Sequence, residues 1–300
     1  MTTKYKLLHF DTVDGVDNYD SVFSARQNGS GQSVTASHSY DTRMLIASQI
    51  KNIRSISLKT VEIPFLAQNV RSTNKSNIMY FYVKYNTFEN WLTITLKDKN
   101  YTSITTLLAD INTALSAKIA TITNMSGFTM VLYVNPLDTS KIVVKANPDA
   151  QGADPYNSFG IYDIGKLVRN ILGYAYTSPS SSIAGDASVR NADTYSYVNC
   201  TNCYNLQPDN YFNMHFTNIE TSPSNANGKS STFKIPMSGS FGEVIYHSET
   251  DGSEQIIYID RPNTNLSYLN MVITDRWGFP VYGFGSQISF TLNIEYEENY

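Results

Sequence analysis

The final stretch of the sequence, QISFTLNIEYEENY, alternates regularly between apolar and polar side chains. Ile288, Phe290, Leu292, Ile294 and Tyr296 share one phase, and polar residues occupy the other. Because successive side chains of a strand point to opposite faces, this pattern predicts a half-buried β-strand. Between its first and fourth apolar residues the segment has neither the charge nor the proline that usually blunts an edge strand. We therefore expect it to lie inside a sheet or to be covered by a partner.

Other segments with strand periodicity follow from Arg43 onward. The segment RMLIASQIKNIRSISLKTVEIP changes phase by one residue near Thr60, which predicts a β-bulge or a change of partner strand. The segments GFTMVLYVNP and SKIVVKAN are separated by a short turn sequence and predict a hairpin. Further short strands run through the second half of the chain, so that about ten are expected in all.

Two segments have helical periodicity instead. In YTSITTLLADINTALSAKIATI the apolar residues fall on one helical face, and Thr102 or Ser103 can cap the helix. The segment YDIGKLVRNILG predicts a second, shorter helix, with Gly173 at the position of a C-terminal cap. Strands and helices do not alternate, so a parallel α/β sheet is disfavoured.

The predicted fold class is therefore all-β, an antiparallel β-sandwich with two short-to-medium helices and long loops. Residues 1–40 are polar and predict an N-terminal arm, and residues 41–300 predict a single domain. A loop insertion is expected around residues 175–232, where two long polar stretches occur. Whether the loop at 177–194 binds a receptor or a glycan is left open.

Composition and charge narrow the function classes. Charged residues make up 16% of the chain, against about 25% in typical soluble domains, and 22 tyrosines are present. Such a surface suits permanent assemblies as well as polar ligands such as sugars. The net charge is −4 and no basic cluster occurs, so direct nucleic-acid binding is not expected.

The sequence also indicates the cellular compartment in which the protein is expected. No apolar run approaches the roughly 20 residues that a membrane span requires, so no span is expected. The opening MTTKYKLLHFDTVDG lacks the apolar core of a signal peptide, which favours the cytoplasm or a particle assembled there.

The cysteine pair in CTNC has the spacing of half a metal site. Cys200 and Cys203 supply two thiolates, and His215 with a carboxylate could complete a set of four, but a structural zinc site normally shows a second ligand pair. We therefore predict no metal and no cofactor. Two ordinary thiols are the alternative.

Motifs of the common catalytic classes are absent from the sequence, and no catalytic residues are predicted. Asp260 and Asp275 lie beside turns, and Asp275 precedes RWGFP, where its carboxylate is expected to hydrogen-bond the turn. The chain is accordingly predicted not to be an enzyme.

Two regions resemble a known family. The segments IKNIRSISLKTVEIP and NWLTITLKDKNYTSITTLLADINTAL resemble the start of the penton proteins at the vertices of icosahedral double-stranded DNA viruses. The segment LSYLNMVITDRWGFPVYGFGSQISFTLNIEY looks like their closing pair of strands. The family is the single jelly-roll penton of virophages, Maverick-like elements and large DNA viruses, and the resemblance covers about residues 43–296.

The resemblance implies a structural capsid protein. It implies a single jelly roll, a homopentamer at each capsid vertex, contacts with the neighbouring major capsid protein, and a place in the virion, assembled in the host cytoplasm. The absence of a basic N-terminal arm departs from capsid proteins that hold the genome directly.

Two alternatives remain open. One is a minor or cement capsid protein of the same fold. The other is a carbohydrate-binding β-sandwich module, in which Trp91 and Trp277 would stack on a sugar, although we expect each to pack in the core.

Overall fold

The computed structural model describes residues 2–11, 41–85, 87–123, 125, 127–147, 158–162, 167–174, 196–200, 202–219, 232–249, 255–259, 265–281 and 286–298. The chain divides into two compact units. Unit 1 combines Met1–Ala67 with Asp209–Tyr300, and unit 2 is the continuous segment Gln68–Pro208 between them in the sequence.

The described part of the chain contains fifteen strands and one α-helix of regular geometry. In chain order, these are β1 (Thr2–Asp11), β2 (Asp41–Ile50), β3 (Ile53–Pro64), β4 (Ile78–Tyr85), β5 (Phe88–Thr95), α1 (Ile104–Ala120), β6 (Thr129–Val134), β7 (Ile142–Asn147), β8 (Ser158–Tyr162), β9 (Ser196–Asn199), β10 (Tyr211–Phe216), β11 (Thr232–Pro236), β12 (Val244–Ser248), β13 (Ile256–Tyr258), β14 (Leu266–Asp275) and β15 (Ser289–Glu298).

Unit 1 is an antiparallel sandwich with the strand order of a jelly roll. One sheet runs β1-β15-β3-β12, with β13 also paired to β3, and the other runs β11-β10-β14-β2. If β12 and β13 count as one position and the eight positions are lettered B to I in chain order, the sheets become B-I-D-G and C-H-E-F. This order defines the jelly roll, so the predicted fold class is confirmed.

The predicted position of the final strand is also confirmed. Strand β15 pairs with β1 along its whole length, from Thr2 opposite Glu298 to Asp11 opposite Ser289, and with β3 on its other side. Its apolar phase is buried at every position from Ile288 to Ile294. The strand is therefore internal to its sheet.

The change of phase near Thr60 has both of the predicted causes. Opposite β15, Lys59 is an extra residue of β3 between the pairs Thr60–Thr291 and Leu58–Leu292. On its other side, β3 pairs with β12 beyond this bulge and with β13 before it. A bulge shifts the side-chain phase by one residue, which keeps apolar residues of both halves in the core.

Aromatic contacts join the two sheets of unit 1. Phe10 and Phe290 stack within the first sheet with ring centroids 5.1 Å apart. Phe290 also lies 6.0 Å from Phe216 of the second sheet, and Phe65 lies 5.9 Å from Phe212. These rings are buried, so the sandwich has a continuous apolar core.

Unit 2 has a core of its own, built from α1 and two three-stranded antiparallel sheets. The sheets run β5-β4-β8 and β6-β7-β9, and β6 and β7 form the predicted hairpin. The predicted apolar face of α1 is buried, and Ser103 is its N-cap, although its side chain makes no capping hydrogen bond. Asn112 fixes the helix to β6, since its amide accepts from Leu132 N at 2.8 Å and donates to Leu132 O at 2.9 Å.

The second predicted helix is a single π-helical turn, Leu167–Ile171, closed by a 2.9 Å bond from Leu172 N to Leu167 O. Gly173 follows it with φ +86°, as predicted for a C-terminal cap. A Cβ at this position would lie 2.4 Å from Asn202 O, so the backbone conformation and the close contact both require glycine.

The predicted domain boundaries stay a prediction. Residues 2–11 of the expected arm form β1, whereas residues 12–40 lie outside the described residues. Most of the expected insertion at 175–232, including the loop at 177–194, also lies outside them.

A polar triad stabilises unit 2 near the start of α1. Asp110 accepts a 2.8 Å hydrogen bond from the Tyr101 hydroxyl and a 3.1 Å bond from Lys99 Nζ. These partners, Tyr101 foremost, lower the pKa of the Asp110 carboxyl. Burial and the neighbouring carboxylate raise the pKa of Tyr101.

We predict that Leu292→Ala lowers the free energy of unfolding of unit 1 by about 2–5 kcal/mol, because it opens a cavity in the core. Leu292 is fully buried, whereas its neighbour Asn293 points to the other face. The matched control Asn293→Ala should cost about 0.5 kcal/mol or less. Urea unfolding followed by Trp277 fluorescence in a Trp91→Phe background reports unit 1, and equal losses for the two variants would contradict the prediction.

We predict that Asp110→Asn flattens the dependence of unit 2 stability on acid pH. A carboxyl whose pKa is lowered by folding stabilises the protein above its ordinary pKa of about 4, and that stability is lost as the pH falls through the lowered value. The parent should therefore lose stability more steeply than the variant below about pH 4. Trp91 fluorescence in a Trp277→Phe background measures this, and identical slopes would be the contrary result.

Candidate subunit interface

The outward side of the sheet β1-β15-β3-β12 exposes several large apolar side chains, and we call it the BIDG surface. It consists of the side chains of these strands and of β13 that point away from the core. The register aligns them in rows, for example Tyr5, Glu295, Ser55 and Tyr258. The next row contains Leu7, Asn293, Ser57 and Ile256.

The two flanks of the BIDG surface are apolar. Tyr5 and Leu7 of β1 are each 66% exposed. On the opposite flank, the exposed large side chains are Val244, Tyr246, Ile256 and Tyr258. These six are more than half of the eleven large hydrophobic side chains that are exposed in the described part of the chain. The exposed large apolar side chains of the described residues are therefore concentrated on the two flanks of this sheet face.

The centre of the BIDG surface is polar and internally bonded. Ser55 Oγ donates to Glu295 Oε2 at 2.7 Å, and Ser289 Oγ donates to Glu62 Oε2 at 3.2 Å. At one end Arg54, the extra residue of a second bulge in β3, lies 2.6 Å from Glu297 Oε2. This guanidinium lowers the pKa of the Glu297 carboxyl. These bonds hold the polar side chains of the centre in place between the two apolar flanks.

A cleft of about 540 Å³ opens between the edges of the two sheets, beside β1 and the end of β2. It is lined by Lys6, residues 48–52 and residues 296–298. Lys6 Nζ donates to Ser48 Oγ at 2.9 Å across it. Lysines and carboxylates are mixed in this lining, so it does not select a ligand of one charge.

A buried polar pair lies at the end of β12. The Glu249 side chain is 2% exposed, and its Oε1 lies 3.8 Å from Nε2 of His247. Within the described ranges, neither of these two atoms has a hydrogen-bond partner.

Asp275 performs the turn function that its sequence context predicts. The residue is fully buried, and its Oδ1 accepts from the backbone N–H groups of Trp277 and Phe279, each at 2.9 Å. Gly278 completes the turn with φ 85°. Asp260 lies outside the described residues.

The cysteines are separate thiols with local partners. Cys200 is buried, accepts from Ile142 N at 2.9 Å and donates to Asn202 O at 3.1 Å, and burial raises the pKa of its thiol. Cys203 is exposed and lies 3.3 Å from Ser140 Oγ. Among the described residues no group of three or more His, Cys, Asp or Glu side chains could hold a metal ion.

The expectation that both tryptophans pack in the core is wrong. Trp91 is 39% exposed and lies on the outward side of β5 against Tyr82. Trp277 is half-buried in the turn after β14, where the Arg276 guanidinium lies 4.2 Å from its ring. Each residue occupies a position whose strand phase or turn directs it away from the core.

Sequence patterns missed the BIDG surface, although the strands themselves were predicted. In EQIIYID, Ile256 and Ile257 are both apolar, and the structure exposes the first and buries the second. Alternation cannot decide which side of such a strand faces the core. A tyrosine in each flanking strand was the available signal, namely Tyr5 in YKLLHF, Tyr246 in EVIYHSE and Tyr258 in EQIIYID.

In the comparisons with known proteins, no family model and no curated protein matches this chain. Among solved structures, it is similar to the crystal structure of the selenomethionine-labelled mavirus penton protein. The identity is 9%, the match covers 97% of this chain and 99% of that chain, and the TM-score is 0.43. A likeness at this level carries no argument about function. No helix in the described part of the chain is long and apolar enough to cross a membrane.

We predict that Asp275→Ala destabilises unit 1 by about 1–3 kcal/mol, because two backbone N–H groups lose their acceptor. Asp275→Asn keeps an acceptor oxygen in the same place and should lose less. Urea unfolding of both variants in the Trp91→Phe background, followed by Trp277 fluorescence, distinguishes them. A loss for the asparagine variant as large as for the alanine variant would show that the turn does not depend on the acceptor.

Proposed function

We propose that this chain is a structural viral capsid protein that forms the pentameric vertex of an icosahedral shell. The observation that carries the proposal is the BIDG surface on a jelly-roll sandwich. Jelly rolls of this kind are widespread in viral capsids. The penton resemblance of the sequence points to the same class.

The arrangement of the BIDG surface fits a ring. Subunits in a ring meet through heterologous contacts, in which each copy contributes two different patches. The flank with Tyr5 and Leu7 and the flank with Tyr246 and Tyr258 are chemically similar but lie on opposite edges of one sheet, about three strand spacings or 14 Å apart. Apolar and aromatic side chains with few charges are typical of the core of permanent interfaces.

The other parts of the proposal follow from the vertex role. The partners are further copies of this chain and the neighbouring major capsid protein, and the location is the virion, assembled in the host cytoplasm. The chain is not an enzyme in this proposal, and it does not bind the genome directly. A cement protein of the same fold would occupy positions between capsomers instead, and its number per particle would differ.

The test is a cryo-electron-microscopy map of the particle that contains this chain. We expect five copies around each five-fold axis, with the BIDG surface covered by a neighbouring copy or capsomer. Density for the chain between capsomers, away from the five-fold axes, would replace the vertex role with a cement role. The oligomeric state of the isolated protein is not a substitute, because surrounding capsomers can hold a vertex ring together.

We also predict that Tyr246→Asp reduces incorporation into particles by about tenfold or more, since it buries a charge in an apolar contact. The matched control is Leu137→Asp, because Leu137 is 95% exposed on the turn between β6 and β7 and does not belong to the BIDG surface. Quantitative mass spectrometry of purified particles measures incorporation. Equal incorporation of the two variants would exclude the BIDG surface as the contact.

A further inference from the structure

The outward side of the sheet β5-β4-β8 in unit 2 carries an aromatic pair. Trp91 of β5 lies directly opposite Tyr82 of β4, with ring centroids 5.4 Å apart and the rings tilted by 53°. The inward side of the same strand β4 is fully buried through Met79, Phe81 and Val83. The core of unit 2 is thus complete without Trp91, whose 39% exposure is high for a residue that is usually well buried.

Polar groups stand beside this pair in the next row of the sheet. The Tyr82 hydroxyl donates to Glu89 Oε1 at 2.6 Å, and Lys84 Nζ lies 3.4 Å from Glu89 Oε2. Tyr82 and Lys84 lower the pKa of the Glu89 carboxyl, and burial with the neighbouring carboxylate raises the pKa of Tyr82 to about 12. Glu89 is therefore a carboxylate and Tyr82 a neutral hydroxyl at neutral pH, and the charge of Glu89 is matched by that of its ion-pair partner Lys84.

The strand β8 contributes a glycine beside this pair. The register places Gly160 of β8 opposite Tyr82 on the side away from Trp91. Glycine contributes no side chain there. In β5, Oδ1 of the preceding residue Asn90 accepts from Trp91 N at 2.8 Å, which fixes the backbone that carries the indole. The positions of Trp91 and Tyr82 are thus fixed by the pairing of β4 with β5 and by this hydrogen bond.

The charge balance of this face selects the kind of ligand. A phosphate or another anion would need surplus positive charge, whereas Lys84 is already matched by Glu89. An apolar partner would bury both charges at a cost. A pyranose has a face of C–H groups, which can stack on the indole of Trp91. Its hydroxyl groups can hydrogen-bond the carboxylate of Glu89 and the ammonium of Lys84. A sugar would therefore contact both the aromatic pair and the polar row beside it.

We propose that the outward face of the β5-β4-β8 sheet is a binding site for a neutral carbohydrate, which stacks on Trp91 and hydrogen-bonds Glu89. The site lies in unit 2, and it does not depend on the vertex role proposed for the chain. The ligand class is a glycan of uncharged hexose units, because the row has no net charge to offer an acidic sugar.

The experiment is a glycan array probed with the fluorescently labelled full-length chain, followed by calorimetry with the best neutral oligosaccharide. We expect binding that Trp91→Ala weakens by about tenfold or more and Trp91→Phe weakens less, since an aromatic contact is removed or reduced. Glu89→Gln should also weaken it. Trp277→Ala is the matched control, because it removes the other tryptophan of the chain, in unit 1, and should leave binding unchanged.

Three results would overturn the proposal. These are the absence of binding to any neutral glycan, binding confined to sialylated or sulfated glycans, and binding that Trp91→Ala and Trp277→Ala weaken equally. Near-ultraviolet circular dichroism of each variant checks that it is folded. If the tryptophan variants unfold, Glu89→Gln still tests the site, because the Glu89 side chain is exposed. The array result and the particle map are independent, so either proposal can fail alone.

Discussion

The burial of one face of β15 between β1 and β3 is the interaction on which unit 1 depends. The strand supplies backbone hydrogen bonds to both neighbours, and its apolar phase contacts the opposing sheet through Phe290. The same pairing aligns the outward side chains of the sheet in rows. The register that buries Leu292 and Ile294 in the core also places Tyr5 and Leu7 on the outward face. The side chains of the BIDG surface are therefore fixed by the same strand pairing that forms the core.

Local periodicity was sufficient to predict much of this architecture. It located β15, the hairpin of β6 and β7, helix α1 and the bulge near Thr60, because each depends on side chains within about ten residues of one another. The turn function of Asp275 was predictable for the same reason, since its acceptor serves residues two and four positions ahead. These features are set by the chain itself before any long-range packing.

Long-range pairing and the choice of face were not predictable in this way. The assignment of β1 to an arm followed from its polar surroundings, whereas its partner lies at the other end of the sequence. The exposure of Trp91 depends on which side of β5 meets α1, and both sides of that sheet carry aromatic or apolar residues. The candidate carbohydrate site depends on the register between β4, β5 and β8, which brings Trp91, Tyr82 and Glu89 together across strands. A sequence scan has no access to that register.

The pairing of β1 with β15 has a consequence for the timing of folding. His9 and Thr291, which face each other across this pair, are separated by 282 positions, so a ribosome must make nearly the whole described chain before the first sheet can close. Until then β1 has no sheet to join and the flanks of the future contact surface do not exist. A nascent chain therefore presents the complete contact surface only after β15 has been synthesised and has paired with β1.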